Sequence, residues 1–200
     1  MTAPVVPPLR QTHNGCGTTC LAMVLQAFHR PVAPGEIDRR MRRWPWLYSD
    51  LHSLAQMARH VGCGVVFSNH NTRQTVQSHL AAGRLLIALL DERAPGAPLM
   101  LHYVVIHGLS NHRVRYCDPF EGKTREEAWE AFSRRWAAIR VLAIPTGLCR
   151  FALVLSATPD RPDAPERLGW YARLVLRLSQ FTVRLLNAMA VVMPDRGDDC

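Results

Sequence analysis

Residues 11–25 read QTHNGCGTTCLAMVL. Beyond Gly15 the residues Cys20, Leu21, Val24, Leu25 and Phe28 recur at helical spacing. This predicts a helix over Gly15–Phe28, with Asn14 as its N-cap. Cys16 then falls in the first turn, where backbone N–H groups lack intrahelical partners and the helix dipole favours a thiolate. Gly15 and Gly17 flank the thiol and leave room for another chain to approach. Cys20 lies one turn further on, along the apolar stripe, and reads as packing. The residue to explain is Cys16: an ordinary buried thiol, or a nucleophile placed at a helix start.

The chain has 200 residues, 48% of them hydrophobic, which suits one domain with a sizeable core. Its formal net charge is +8, and Lys123 is the only lysine, so arginine supplies the positive charge. A basic surface favours acidic peptides, anionic lipid or nucleic acid, and it also describes an ordinary solvated exterior. The six cysteines stand at 16, 20, 63, 117, 149 and 200, none in a Cys-x-x-Cys pair. The opening MTAPVVPPLRQTHNG has no apolar core of the kind a secretory signal needs, so the scattered thiols point to a reducing cytoplasm. A zinc site on His13, Cys16 and Cys20 lacks a clear fourth ligand. No dinucleotide fingerprint and no phosphate-binding Gly-rich loop is present, so no metal, cofactor or ATPase is expected.

Along the chain, residues 1–13 look extended, with prolines at 4, 7 and 8. Helices are expected near 34–43 and 50–61, the second stopping at Gly62. CGVVF reads as a strand and TRQTVQSHLAAG as a helix ending at Gly83. RLLIALL reads as a buried strand, DERAPGAP as a loop, and LHYVVIHGL and HRVRYC as two strands around a short turn at residues 109–111. TREEAWEAFSRRW has an amphipathic helical pattern, with Thr124 as its cap, and AIRVLAI reads as a final strand before Pro145. Helices first and antiparallel strands later argue for an α+β fold, with a helical lobe and a sheet lobe.

A thiol nucleophile needs a base, and the base must come from elsewhere in the chain. Of nine histidines, His102 is best placed, opening the strand HYVVIH straight after a loop. A three-residue turn at 109–111 pairs 102 with 118, and a two-residue turn at 110–111 pairs 103 with 118. Either register leaves Asp118 beside His102, where it could orient one ring nitrogen while the other faces the thiol. His13 and His107 are rival bases. His13 sits on an extended arm, and His107 is an odd number of residues from His102 and so faces the other side of the strand. Gln11 could add its side-chain amide to the Cys16 N–H as donors for a developing oxyanion. Without a functional cysteine it would read as a solvent-facing glutamine.

Together these residues resemble a family. Gln11, Cys16-Gly17, CLAMVL, His102 with VVI, and Asp118-Pro119 followed by Gly122 are similar to the papain-like bacterial cysteine peptidases that cleave double-glycine leader peptides. Such peptidases commonly form the N-terminal domain of bacteriocin-exporting ABC transporters. The stretches EIDRRMR, LHSLAQMARHVGCGV, HLAAGRLLIALL and FSRRWAAIRVLAI are also similar, and the resemblance spans roughly residues 9–145. It implies Cys16 as nucleophile, His102 as general base and acid, Asp118 as orienting group and Gln11 as oxyanion donor. It implies hydrolysis after a small pair, typically Gly-Gly, through a thioester, in a cleft too narrow for a Cβ. Two departures stand out. Family members usually carry an acidic residue where Gly15 stands, and their Gln-to-Cys spacing is usually one residue longer.

Beyond Pro145 the pattern changes. LCRFALVLS adds a strand, ATPDRPDAPE reads as a Pro-rich linker, and a helix is expected over 166–195. In that helix Arg173, Arg177, Gln180, Arg184 and Asn187 form one polar stripe at spacings of 4, 3, 4 and 3. It could lie on a membrane surface, pack on a partner or on its own domain, or be the remnant of a transporter's first helix. The expected organisation is a papain-like peptidase domain over 1–145, a strand and linker over 146–165, and the amphipathic helix. The expected partner is a precursor peptide with a leader, with a separate ABC exporter or the inner face of the cytoplasmic membrane as a further contact, and no nucleic acid. Alternatives are a papain-like acyltransferase or amidohydrolase, and a non-catalytic leader-binding module.

Overall fold

A computed structural model describes residues 4–12, 15–41, 49, 51–92, 101–136, 138–141 and 144–159. Residues 93–98 of the expected loop at 91–98, and the expected C-terminal helix, lie outside the described residues. Three helices come first: α1 (Cys16–Ala27), α2 (Pro34–Arg40) and α3 (Leu51–His60). The order continues with β1 (Gly64–Ser68), α4 (Arg73–Ala81), β2 (Leu85–Asp91), β3 (Leu101–Ser110), β4 (Arg113–Asp118), β5 (Lys123–Ala128) and α5 (Trp129–Arg135). Strands β6 (Ala138–Val141), β7 (Ile144–Cys149) and β8 (Ala152–Ser156) follow. The fold is α+β and papain-like, a helical lobe against an antiparallel sheet lobe. Among the described residues, no helix is long and apolar enough to cross a membrane.

Six strands form one antiparallel sheet in the order β1-β8-β2-β3-β4-β5. β2 reads LLIALLD without alternation because both its faces are covered. On one face α4 and α5 bring Val76, Leu80, Trp129, Phe132 and Trp136 against Leu86, Leu90, Val104, Ile106 and Tyr116. On the other, α1 packs against β2 and β3, and α3 against β1 and β8. Thr72 caps α4 through a reciprocal pair of bonds with Thr75, and Gly62 and Gly83, at φ +83° and +71°, end the turns that leave α3 and α4.

Two local expectations need correction. TREEAWEAFSRRW is not one helix. Its first part is β5, paired along its length with β4, and only Trp129–Arg135 is helical. The charged residues of β5 carry no helical signal of their own, and across the pair Glu126 accepts from Arg113 Nε at 2.8 Å and from Arg115. AIRVLAI is not a final strand, because β6 and β7 make a separate two-stranded sheet, with Pro145 inside β7. The strand expected after Pro145 is β8, and it lies between β1 and β2 in the main sheet. The chain reaches it through Arg150 at φ +46°, where Asn71 Nδ2 donates to the Arg150 carbonyl at 2.7 Å.

Trp136 ties α5 to the start of β8. Its ring is fully buried, lies edge-on to Phe132 and Trp129, and donates from Nε1 to the Phe151 carbonyl at 2.8 Å. Trp136→Ala therefore opens a cavity and orphans a buried carbonyl. We expect it to lower unfolding stability by about 3–5 kcal/mol in urea titrations. A loss below about 1 kcal/mol, the scale of a tolerated core swap, would show that this packing is not what secures α5.

Candidate active site

The nucleophile candidate stands at the first position of α1, with Gly15 as N-cap and no side-chain cap bond. The expected cap, Asn14, is corrected to Gly15; Asn14 and the rival base His13 lie outside the described residues. The Gly15 N–H donates to the Thr12 carbonyl at 3.2 Å, and Thr18 Oγ1 donates to the Gly15 carbonyl at 3.2 Å. The room expected around the two glycines is occupied by this chain itself. A Cβ on Gly15 would lie 2.9 Å from Thr12 O, and one on Gly17 would lie 2.7 Å from the Ser49 Cβ. Gly15 therefore accompanies the short Gln11-to-Cys16 spacing: the chain doubles back so closely that no side chain fits there.

Cys20 is fully buried one turn on, and its thiol donates to the Tyr103 carbonyl at 3.3 Å. Burial first, then neighbouring charges, push the Cys20 thiol well above its ordinary range, so it remains a packed thiol. Tyr103 in turn donates from its hydroxyl to the Ser49 carbonyl at 3.1 Å. These bonds seat α1 on β3 close to the end where His102 stands.

His102 Nε2 lies 2.9 Å from Asp118 Oδ1, both side chains 13% exposed. Cys16 is a further cause of the raised pKa of this ring, so its side chain lies close by, and the Asp118 bond at Nε2 leaves Nδ1 as the nitrogen for the thiol. Cys16 itself is 4% exposed. Burial disfavours the imidazolium, but the Asp118 bond and then the Cys16 side chain outweigh it and raise the His102 pKa from 6.5 to about 9. Burial also works against the Asp118 carboxylate, and the His102 bond, the Phe120 N–H and Arg125 together hold its pKa below the usual value.

The register differs from both expected versions. The hairpin turn is Asn111–His112, both at positive φ, as a two-residue primed turn requires, and Ser110 pairs with Arg113. A bulge at His107 then shifts the ladder, so that Val105 pairs with Cys117. Continued by one residue, this puts Asp118 opposite Val104, and His102 is its diagonal neighbour on the same face. The bulge also breaks the simple parity applied to His107. That ring is half-buried beside Arg115, and burial followed by the Arg115 charge lowers its pKa to about 4, so it is neutral at pH 7.

Gln11 reaches the site through its backbone. Its N–H donates to the Pro119 carbonyl at 2.7 Å, which laces the N-terminal arm onto the turn that carries Asp118. Gly122, at φ +67°, makes this possible: a Cβ there would meet the Arg10 Cβ at 2.8 Å and the Arg10 backbone N at 3.1 Å. Further back, the Cys117 thiol donates to the Val6 carbonyl at 3.6 Å and the Leu9 N–H contacts Met23 Sδ at 3.3 Å. The arm is thus part of the fold. Its sequence offered prolines and a Gln but no periodicity from which this docking could be read.

The model of the Peptidase_C39 like family matches residues 5–144. The chain belongs to that family. Solved structures agree on the C39 peptidase fold. The peptidase domain of Streptococcus ComA, a bi-functional ABC transporter involved in a quorum-sensing pathway, has a TM-score of 0.57 at 14% identity, over 78% of this chain and 100% of that one. A C39-like peptidase from Bacillus anthracis has a TM-score of 0.54 at 16% identity, over 76% and 94%. A double glycine motif protease from an AMS/PCAT transporter, in complex with its leader peptide, has a TM-score of 0.53 at 17% identity, over 77% and 93%. No curated protein matches the chain.

The pKa raised at His102 gives a stability signature. A folded-state pKa above the unfolded one stabilises fully below pH 6.5 and loses that contribution as pH climbs through about 9. The thermal-stability gap between the native chain and Asp118→Asn should therefore narrow from pH 6.5 towards pH 9 and above. A gap that stays constant over that interval would mean the His102–Asp118 pair is not charged in the folded protein.

Proposed function

We propose that this C39-family chain is a cysteine peptidase that removes leader peptides from ribosomally made precursor peptides, cutting after a small pair such as Gly-Gly. The observation that carries the reading is the His102 ring, hydrogen-bonded to Asp118 and near enough to Cys16 for that side chain to help raise its pKa. That is the arrangement of nucleophile, base and orienting group used for acyl transfer.

In the proposed reaction His102 already holds the thiol's proton as the imidazolium, and Cys16 Sγ bonds to the scissile carbonyl carbon. The carbonyl oxygen becomes an oxyanion, for which the Cys16 N–H and the Gln11 side-chain amide are the proposed donors. The C–N bond then breaks, His102 returns its proton to the leaving amine, and an acyl thioester remains on Cys16. Water attacks the thioester with His102 as base, and the released leader restores the thiol. Asp118 keeps one ring nitrogen committed, so that the other faces sulfur throughout. The double-glycine preference and the association with an exporter are carried over from the family resemblance and from the ABC-transporter relatives, one of them a double glycine motif protease in complex with the leader peptide.

Synthetic precursor peptides with a Gly-Gly junction, read by mass spectrometry, test this. The native chain should give leader and core, and Cys16→Ala should lower turnover at least about 10³-fold while still binding peptide. A product carrying a new acyl group in place of added water would make the chain an acyltransferase. Binding without cleavage by the native chain would make it a leader-binding module.

A further inference from the structure

The Asp118 carboxylate has a third side-chain neighbour that the reaction as written does not use. Register places it: Asp118 pairs with Lys123 and Tyr116 with Arg125, so Arg125 lies two residues along β5 from the partner of Asp118. His102, Asp118 and Arg125 thus form one diagonal row across β3, β4 and β5, on a single face of the sheet. Asp118 Oδ1 accepts from His102 Nε2 and from the Phe120 N–H, each at 2.9 Å. Asp118 Oδ2 faces Arg125 Nε at 3.7 Å. The guanidinium is itself gripped. Nε donates to Glu121 Oε2 at 3.0 Å, and a terminal nitrogen donates to Glu121 Oε1.

We propose that Arg125 is a positioning residue for the reaction: clamped by Glu121, it holds the second oxygen of Asp118 and so fixes the carboxylate that orients His102. This rests on the peptidase reading above. Rotation of the carboxylate about its own axis would break the bonds at Oδ1 and carry Oδ2 away from the guanidinium charge. Glu121 stands on the same turn as Asp118, so the clamp and the group it steadies share one piece of backbone. A plain surface pair is the competing account, since Arg125 is 44% exposed. Such a pair would need only Glu121. The approach to Asp118 is what a surface pair leaves unexplained. The charged and titratable groups around Asp118 are His102 from β3, Cys16 and Cys20 from α1, Arg125 and Lys123 from β5, and Glu121 from the turn.

The test compares the native chain with Arg125→Gln, Arg125→Lys and Arg113→Gln, using leader-peptide kinetics and Cys16 alkylation as functions of pH. Arg113 is the control, because it pairs with Glu126 on the same two strands. Arg125→Gln should lower kcat roughly three- to fivefold with KM unchanged, the scale of one partly exposed ion pair. Its acid limb should move to higher pH, because Asp118 loses a cation that helps keep it ionised. Arg125→Lys should recover the acid limb and Arg113→Gln should behave as the native chain. If Arg125→Gln does not fold, Arg125→Met, which keeps the length of the side chain without its charge, should move the acid limb the same way. Native kcat and acid limb in Arg125→Gln, beside an inactive Cys16→Ala, would overturn the role of Arg125 and leave the peptidase reading intact. No turnover by the native chain, together with Cys16 alkylation indifferent to His102→Ala, would overturn both.

Discussion

The bulge at His107 is the constraint on which the candidate site depends. A primed hairpin turn at Asn111–His112 sets one register near the tip, and the bulge moves the ladder by one residue before it reaches the other end. Side chains alternate faces along a strand, so a slip of one residue turns every side chain to the opposite face. In the observed register Asp118 lies diagonally from His102 and on its face, and the 2.9 Å bond between them follows. The β4–β5 register then extends the same diagonal to Arg125. Three strands, each exact to one residue, align the polar row.

The helical side of the site is fixed by close approach. Gly17 lets Ser49 lie against α1, Tyr103 links Ser49 to β3, and Cys20 donates to the Tyr103 backbone. Gly15 and Gly122 do the same for the N-terminal arm, admitting the Thr12 carbonyl on one side and Arg10 on the other. In each case the missing side chain makes room for the chain's own backbone or side chains, and at Gly15 and Gly17 the sequence had pointed to room for another chain.

Much of the fold was legible. The α1 stripe, the capped α4 ending at Gly83, and the unbroken apolar run of β2 carry strong local signals, and the structure has an element at each. The failures have physical causes. β5 is an edge strand held by backbone pairing and cross-strand charges, and its Thr-Arg-Glu-Glu composition gives no alternation to read. β8 is inserted between β1 and β2, which lie far from it in sequence, and nothing local records a long-range partner.

The sequence by itself determined the chemistry on offer: a cysteine at a helix start, a histidine opening a strand, an aspartate closing the next, and a glutamine on the arm ahead of them. These follow from local periodicity and turn signals, which short-range sterics and hydrogen bonding enforce. Tertiary structure alone decided which atoms meet. The bulge, the docking of the arm on Pro119, and the reach of Arg125 to Asp118 depend on register and backbone approach between strands remote in sequence. Those are settled by the burial of whole faces, and no short window of sequence contains them.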